Sequence, residues 1–258
     1  MVSGSLSATK PSGLTRKQQA LLDREQELIA IAFEVVKREG FTGLTMDKVA
    51  AASSYSKGTV YNHFTSKEDL IAALATKALS QEIAMFKRAS AFKGNNREKL
   101  LAVHVAYALF CCLEPALSNC VLSCRTPAVT EKSSEKRLAA MNSLEAELLS
   151  LGDQIMELGA ARGEVDMSGS IPATSIVFAN WAMGFGANAL FNSASESGAV
   201  VRVQETCENP ILDCINLLLD GVGWKPLSTE FNYQETWQRV LDEIFPEEAA
   251  FIRQSKSL

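Results

Sequence analysis

Residues 45–67 constrain the fold of this 258-residue chain most strongly; they read TMDKVAAASSYSKGTVYNHFTSK. Thr45 precedes one stretch of apolar residues at helical spacing and Ser56 precedes another, and a hydroxyl at such a position is typical of a helix N-cap. Val60 and Phe64 lie four residues apart, which places both on one face of the second helix. The pattern predicts two short helices joined by a tight turn, with a third helix after them.

Two short helices joined by a tight turn are typical of the helix-turn-helix motif, whose second helix enters the major groove of DNA. The side chains left on the sides and outer face of that helix are small, hydroxylic, amide or basic. Such groups bond to phosphates and to base edges, so the motif predicts a DNA-binding element. These outer residues are Lys57, Thr59, Tyr61, Asn62 and His63.

The stretch from about Glu27 to Leu74 resembles the tetracycline-repressor (TetR) family of bacterial transcription regulators. An amphipathic first helix, the pair Gly40-Phe41 and the strings SKGTVYNHF and SKEDL carry the resemblance, which covers roughly a fifth of the chain. It implies an all-α fold, in which an amino-terminal three-helix helix-turn-helix domain is joined to a larger helical ligand-binding and dimerisation domain.

One departure from the family lies in the turn, where relatives usually have Ala-Gly-Val and this chain has Ser53-Ser54-Tyr55. If Ser54 adopts the left-handed conformation that glycine tolerates, it costs about 1–2 kcal/mol. We therefore expect the turn to be the place where this motif differs from its relatives.

The resemblance also implies roles for individual residues. Thr45 and Lys67 would contact phosphates, and Gly58 would let the backbone approach DNA closely. Lys57 would donate to a guanine edge and Asn62 would pair with an adenine edge, or either would touch only the DNA backbone. Packing or surface roles remain open for the tyrosine and histidine of the second helix. The full predicted set is Thr45, Ser56, Lys57, Gly58, Thr59, Tyr61, Asn62, His63 and Lys67.

The chain is predicted to have three parts. The composition of residues 1–18 predicts a flexible arm, and the helical pattern of 19–66 predicts the helix-turn-helix domain. The resemblance implies that 67–258 form an effector-binding and dimerisation domain, with an additional helix near 231–245. Residues 1–77 hold 10 Lys+Arg and 8 Asp+Glu, or +2, which leaves 25 − 10 = 15 against 30 − 8 = 22, or −7, for the rest. A mildly basic end on an acidic body suits a protein that presents one face to phosphates.

Few alternating β-branched runs occur, so the chain is predicted to be all-α. The uncharged helix at 172–191 and the capped helix at 210–222 are too apolar for solvent on all sides. The resemblance implies that they form a four-helix dimer interface, and burial inside one subunit is the alternative. The predicted helices are 19–39, ended by Gly40, then 67–91, 97–113, a shorter, irregular piece between Pro115 and Pro127, 131–162, 172–191, 210–222, and one that Asn232 caps and Pro246 ends.

Aromatic and thiol side chains concentrate on two of these helices. With the polar groups of His104 and Asn180 they would line an apolar pocket for a small molecule. The alternative is that these side chains, which lie at helical spacing, pack in the core or in the dimer interface. A mostly apolar or amphipathic effector is expected rather than a highly charged one. The predicted pocket residues are His104, Tyr107, Phe110, Cys111, Phe178, Trp181 and Phe185.

The sequence contains few residue patterns that indicate catalysis, metal binding or membrane insertion. The chain has two histidines and no phosphate-binding glycine loop or HExxH string, so neither an enzyme nor a cofactor is predicted. The six cysteines are expected to be reduced and buried, although Cys120 and Cys124, four apart, leave a metal or redox pair as an alternative.

Met167 to Ser195 carries no charge, but Pro172 and several polar residues favour a buried helix over a membrane span. No signal peptide is evident, and a cytoplasmic location is expected.

The resemblance therefore implies a homodimeric, sequence-specific regulator of transcription. It would bind a pseudo-palindromic operator in double-stranded DNA and act as a repressor that a small, mostly apolar effector releases. Two alternatives remain open. One is a helical enzyme or lipid-binding protein with a vestigial helix-turn-helix, and the other is a DNA-binding regulator that takes a protein partner instead of an effector.

Overall fold

A computed structural model of the chain describes residues 15–169, 171–192 and 198–255. Within these ranges the chain forms helices and loops and no strand, so the prediction of an all-α fold is confirmed. The chain divides into two compact units, Met1–Lys67 and Glu68–Leu258.

The amino-terminal unit contains α1 (Arg16–Gly43), α2 (Met46–Ala52) and α3 (Lys57–His63). Regular helix in α1 ends at Gly40, as predicted, where the backbone takes φ 70° and ψ 179°, a conformation that residues with a side chain rarely adopt. The helix begins earlier than predicted because Thr15 and Gln18 form a capping box. Residues 15–18 are therefore not part of a flexible arm, and the rest of the predicted arm, 1–14, lies outside the described residues.

A small apolar core holds these three helices together. α2 packs against both α1 and α3. Leu28 of α1, Val49 of α2 and Val60 of α3 are completely buried, as is Phe64 just beyond the end of α3. The four-residue spacing of Val60 and Phe64 thus marks the inward face of α3, as the sequence predicts.

The carboxy-terminal unit contains the remaining helices of the described ranges, and its first helix begins at Lys67. The observed ends agree closely with those predicted for residues 67–91, 97–113, 172–191 and 210–222. The helices are α4 (Lys67–Ser90), α5 (Asn96–Leu113), α6 (Pro115–Ser123), α7 (Pro127–Thr130), α8 (Glu135–Ala161), α9 (Ala173–Phe191), α10 (Gly198–Thr206), α11 (Pro210–Gly221), α12 (Tyr233–Glu243) and α13 (Pro246–Ser255).

The sequence pattern misses three of these helices, α7, α10 and α13, while the irregular helical piece expected between Pro115 and Pro127 is α6. Pro246 is predicted to end the preceding helix, which stops at Glu243, but Pro246 also begins α13. Proline is well tolerated in the first turn of a helix, because the N–H that it lacks has no partner there in any helix. The same residue therefore both stops α12 and starts α13.

The core of the carboxy-terminal unit centres on Trp224, which follows α11 and is completely buried. Leu101 of α5 and Leu219 of α11 belong to the same apolar cluster. Gly159 of α8 lies against the indole, since a β-carbon at that position would lie 2.8 Å from Cζ2 of Trp224. Close packing around this ring ties α5, α8 and α11 into one body.

α9 is apolar all round, yet only Ile176, Asn180, Gly184 and Asn188 of this helix are buried within the single chain. Its other side exposes large apolar side chains, among them Phe178, which is 61% exposed, and Leu190, 58% exposed. Leu217 of α11 is 76% exposed. Burial of both helices inside one subunit, the alternative left open above, is therefore wrong for these faces.

No single helix in the described ranges is long and apolar enough to cross a membrane. One pair, α5 with α6, meets the length and composition criteria together but is bent by 103° at the break between the two helices.

Candidate nucleic-acid interface and ligand cavity

The candidate nucleic-acid interface is built on α3, which side-chain caps hold in place. Ser56 Oγ accepts a hydrogen bond from the Thr59 amide at 3.2 Å. Thr45 Oγ1 accepts one from the Lys48 amide at the start of α2, also at 3.2 Å. Each cap satisfies an amide that the helix itself leaves free. Val60 anchors the inward face of α3, and Lys57, Tyr61 and Asn62 are exposed on its other side.

The turn before α3 is formed without left-handed strain, because no non-glycine residue in the described ranges has a positive φ. Ser53 makes this turn. Its Oγ donates to the Ala50 carbonyl at 3.0 Å and accepts from the Tyr55 amide at 3.2 Å. A serine hydroxyl thus replaces hydrogen bonds that a backbone turn would make. The cost considered for a left-handed Ser54 is absent.

Tyr55, which stands where relatives usually have valine, fixes this turn to α1. Its hydroxyl donates to Glu27 Oε2 at 2.6 Å, and this hydrogen bond raises the pKa of Tyr55. The Arg24 guanidinium lies 5.2 Å from the centre of the tyrosine ring. The departure from the family sequence therefore supplies a polar anchor for the turn.

Lys57, Gly58, Tyr61 and Asn62 are exposed on α3. Lys57 Nζ lies 2.6 Å from Asp47 Oδ1, and this hydrogen bond raises the pKa of Lys57. Both side chains are exposed, so the ion pair is weak and the ammonium can exchange it for a phosphate or a base. A β-carbon added at Gly58 would meet only Ser56 Oγ, at 3.8 Å, so nothing in the unit itself requires glycine there.

The structure does not place His63 with these outward residues. Its side chain is only 3% exposed, and Nδ1 lies 3.8 Å from Glu25 Oε2. His63 follows Val60 by three residues, and residues three apart share a helix face. The prediction that the His63 side chain lies along a DNA groove is therefore wrong; this side chain packs inward.

Lys67 lies at the edge of the same surface. Its Nζ donates to the Phe41 carbonyl at 2.9 Å, a contact that holds the end of the unit to the segment after Gly40. Thr45, Tyr61 and Lys67 line one shallow concavity of this unit. Contact of these three residues with DNA remains a prediction.

A separate small cavity of about 60 Å³ lies inside the carboxy-terminal unit, between α4, α5, α8 and α9. Of the predicted pocket residues, His104, Tyr107, Trp181 and Phe185 line it. The other three do not: Phe110 and Cys111 are buried elsewhere in the core, and Phe178 is exposed on α9. Phe178 misses the cavity because it lies on the side of α9 opposite to the buried Asn180 and Gly184.

His104 is the polar anchor of this cavity. Its Nε2 lies 3.0 Å from Asn180 Oδ1. Burial lowers the pKa of His104 and outweighs the opposing effect of the Asn180 hydrogen bond, so the ring is neutral at pH 7. Gly184 allows this approach, since a β-carbon there would lie 2.8 Å from His104 Nδ1.

Sequence reasoning misses the contributions of α4 and α8, which include Glu82, Phe86, Leu148 and Gly152. Glu82 is 6% exposed, and burial raises its pKa to about 8. A signal was present in the sequence: Glu82 lies four residues before Phe86 and so shares its inward helix face. In the described ranges, no group of three or more His, Cys, Asp or Glu residues is placed to hold a metal ion.

A capped helix-turn-helix with an exposed second helix defines the class of helix-turn-helix DNA-binding proteins. Residues 28–74 match the family model described as "Bacterial regulatory proteins, tetR family". Residues 28–74 therefore carry the amino-terminal domain of the tetR family, and the resemblance found in the sequence is confirmed.

Known relatives and solved structures agree with this assignment. An uncharacterised helix-turn-helix transcriptional regulator of Mycobacterium tuberculosis is 38% identical over 58 residues, which are 22% of this chain and 29% of that protein. A tetR-family regulatory protein from Rhodococcus RHA1 has a similar fold, with a TM-score of 0.56, 20% identity, and coverage of 78% of this chain and 97% of that one. The transcriptional regulator FadR from Bacillus subtilis, solved with stearoyl-CoA, gives a TM-score of 0.52 at 17% identity, with 76% and 96% coverage.

The chain spans about 29% of the length of the first curated relatives that it matches, within the helix-turn-helix region. The similarity to the two solved structures extends over most of the chain but shows the fold alone.

Proposed function

We propose that this protein is a sequence-specific DNA-binding regulator of transcription that acts as a repressor. The exposed face of α3, with Lys57, Gly58, Tyr61 and Asn62, carries this proposal, because a tetR-family unit presents it. Lys57 and Asn62 supply donors of the kind that read guanine and adenine edges, and Thr45 and Lys67 flank them as phosphate contacts.

The regulator acts as a homodimer in this proposal. The large apolar side chains that α9 and α11 expose, Phe178, Leu190 and Leu217, support it, since exposed apolar surface is typical of protein–protein interaction sites. Two copies of α3 would then enter successive major grooves of a pseudo-palindrome, with half-sites about 34–36 Å apart.

A small ligand in the cavity between α4, α5, α8 and α9 controls DNA binding in this proposal. The aromatic and apolar lining supports a ligand that is itself mostly apolar. FadR from Bacillus subtilis, which shares the fold, was solved with a ligand bound. The ligand can release DNA only to the extent that its affinity differs between the DNA-binding state and the released state.

DNA binding to the region upstream of this protein's own coding sequence tests the proposal. We expect the affinity to fall by about 1,000-fold or more between about 50 and 200 mM salt, as counterions are released from several phosphates. Gly58→Ala should weaken binding on the order of tenfold, since its β-carbon would meet the DNA.

The same Gly58→Ala variant should unfold no more easily than the wild type, because its β-carbon meets nothing closer than 3.8 Å within the protein. Binding that is absent, or that does not depend on salt, would refute the proposed function. Unchanged DNA affinity in Gly58→Ala would refute close approach of α3.

We expect the double substitution Phe178→Asp, Leu217→Asp to raise the dimer dissociation constant at least about tenfold, because it places charges in an apolar interface. Sedimentation equilibrium measures this constant. Phe251→Asp on α13 is the matched control, since Phe251 is as exposed as Phe178 at 61% but lies on another helix. Equal effects of the double variant and the control, or no effect of the double variant, would contradict a dimer interface on α9 and α11.

A further inference from the structure

Glu82 is the one charged residue that lines the described cavity, and its position is unusual. The side chain lies on the apolar inward face of α4 and is 6% exposed. It makes no hydrogen bond and no ion pair with any residue that the structure describes. A buried carboxyl group without a partner is costly to an apolar core, so such a group calls for an explanation.

Arg125, whose positive charge acts on Glu82, already pairs with another carboxyl group. Its Nη2 lies 2.9 Å from Glu145 Oε1, and its guanidinium stacks 5.1 Å from the ring centre of Trp181 and 5.0 Å from that of Phe185. The free Nη1 of Arg125 is buried and finds no acceptor among the described residues, so it does not bond to Glu82.

If Glu82, Glu145 and Arg125 were all ionised, they would together carry a net charge of −1. Glu82 and Glu145 are two carboxyl groups, and Arg125 is one guanidinium. The arrangement is neutral only if Glu82 carries a proton or if another cation sits beside it. Burial accordingly raises the pKa of Glu82 to about 8, and the nearby charge of Glu145 adds to this effect while Arg125 opposes it.

The cavity walls favour a cation over an anion. Trp181 and Phe185 already stack with Arg125, but the rings of Phe86 and Tyr107 also line the cavity, and aromatic faces attract a positive charge. No lysine or arginine lines it, so an anionic ligand would find no counter-charge there. The apolar remainder of the lining suits a short hydrocarbon group.

We propose that the ligand of this cavity is a small amphipathic amine, whose ammonium group binds the buried Glu82 carboxylate. The N–H of the ammonium donates to the carboxylate oxygen, and the proton of Glu82 passes to solvent. This inference rests on the proposed ligand-responsive function and names the class of ligand.

The other groups that face Glu82 are Tyr107, Cys111, His104, Arg125 and Glu145. Burial raises the pKa values of Tyr107 and Cys111 and lowers that of His104, so these three remain neutral from about pH 6.5 to 9. Arg125 and Glu145 form an ion pair with each other. Ligand affinity should therefore follow the ionisation of Glu82 alone.

Calorimetry with the full chain, in the absence of DNA, tests this assignment. A cavity of about 60 Å³ holds roughly four water-sized groups, so the probes are butylamine, butanol and butyrate, which share one carbon chain. We expect butylamine to bind at least about tenfold more tightly than the other two at pH 8. Its affinity should rise between pH 6.5 and 8.5, and titrations in two buffers of different ionisation heat should show release of about one proton at pH 7.

Glu82→Gln is the decisive variant. It keeps the shape of the neutral side chain, so it should fold normally, but it should lose at least about tenfold in butylamine affinity and all proton release. Glu157→Gln, an exposed change on α8, should behave as the wild type. Preference for butanol or butyrate, or unchanged amine binding in Glu82→Gln, would overturn the assignment.

The failure of this inference is distinguishable from failure of the proposed function. Salt-dependent DNA binding without amine binding would refute the assignment of an amine ligand but would still support the proposed DNA-binding regulator. Amine binding through Glu82 without any DNA binding would support the ligand class and refute the regulator.

Discussion

Arg97→Ala is expected to lower the free energy of unfolding by about 3–5 kcal/mol. The Arg97 side chain is 1% exposed in the carboxy-terminal unit. Nη1 donates to the carbonyls of Trp224 at 2.5 Å and Pro226 at 3.0 Å, and Nη2 donates to Asn216 Oδ1 at 3.2 Å. Removal of the guanidinium takes this donor from the buried Trp224 carbonyl and from the partly buried Asn216 amide oxygen, whereas the Pro226 carbonyl keeps the Tyr233 hydroxyl.

The same arginine holds two charged or aromatic neighbours. Nη1 lies 2.7 Å from Asp220 Oδ1, and the guanidinium lies 4.4 Å from the ring centre of Tyr233. Partial burial pushes the pKa of Asp220 up, but hydrogen bonds from Ser228 and Arg97 hold it below its usual value. Arg97 therefore joins α5 to α11, to the segment after α11, and to α12.

Urea unfolding at fixed protein concentration measures the loss. Arg97→Met retains most of the side-chain volume, so a loss similar to that of alanine would assign the effect to the hydrogen bonds rather than to a cavity. Arg253→Ala is the matched control, since Arg253 is 63% exposed in an ion pair at 3.4 Å and should change stability little. A loss below about 1 kcal/mol in Arg97→Ala would contradict this role.

The helices of this protein are largely predictable from sequence because local signals mark their ends. Thr45, Ser56 and Asn209 are polar N-cap residues, and each accepts the expected hydrogen bond. α13 is missed because Pro246 is read as a stop, although it also fits the start of a helix. Prolines and glycines identify a boundary but not which helix lies on either side of it.

The sites are less predictable because they depend on which face of a helix turns inward. Lys57 and Asn62 are found on the exposed face of α3, but His63 turns inward beside Val60. In the cavity, the aromatic stripes of α5 and α9 point to part of the lining. Glu82 is missed because a single carboxylate in α4 resembles a solvated residue until tertiary packing encloses it.

Glu82→Gln is expected to stabilise the protein at high pH and to leave it unchanged at low pH. The folded state holds the pKa of Glu82 at about 8, against an ordinary value of 4.5 in the unfolded chain. Between these values the folded protein keeps a proton that the unfolded chain has lost, so the stability of the wild type falls as pH rises from about 4.5 to 8. Above pH 8 both states are ionised, and the difference becomes constant.

Glutamine carries no charge at any of these pH values, so it removes this dependence. Urea unfolding should show nearly equal stability of wild type and Glu82→Gln at pH 5, and an advantage for the variant on the order of 3–5 kcal/mol at pH 9. Burial lowers the pKa of His104, so protonation of His104 at acid pH destabilises the folded state. Both proteins contain His104, so this effect cancels in the difference between their stabilities. Glu157→Gln should show no such pH-dependent difference. An equal effect of Glu82→Gln at pH 5 and pH 9 would mean that the Glu82 carboxyl is not held neutral by burial, and the argument for a cation-binding cavity would lose its physical basis.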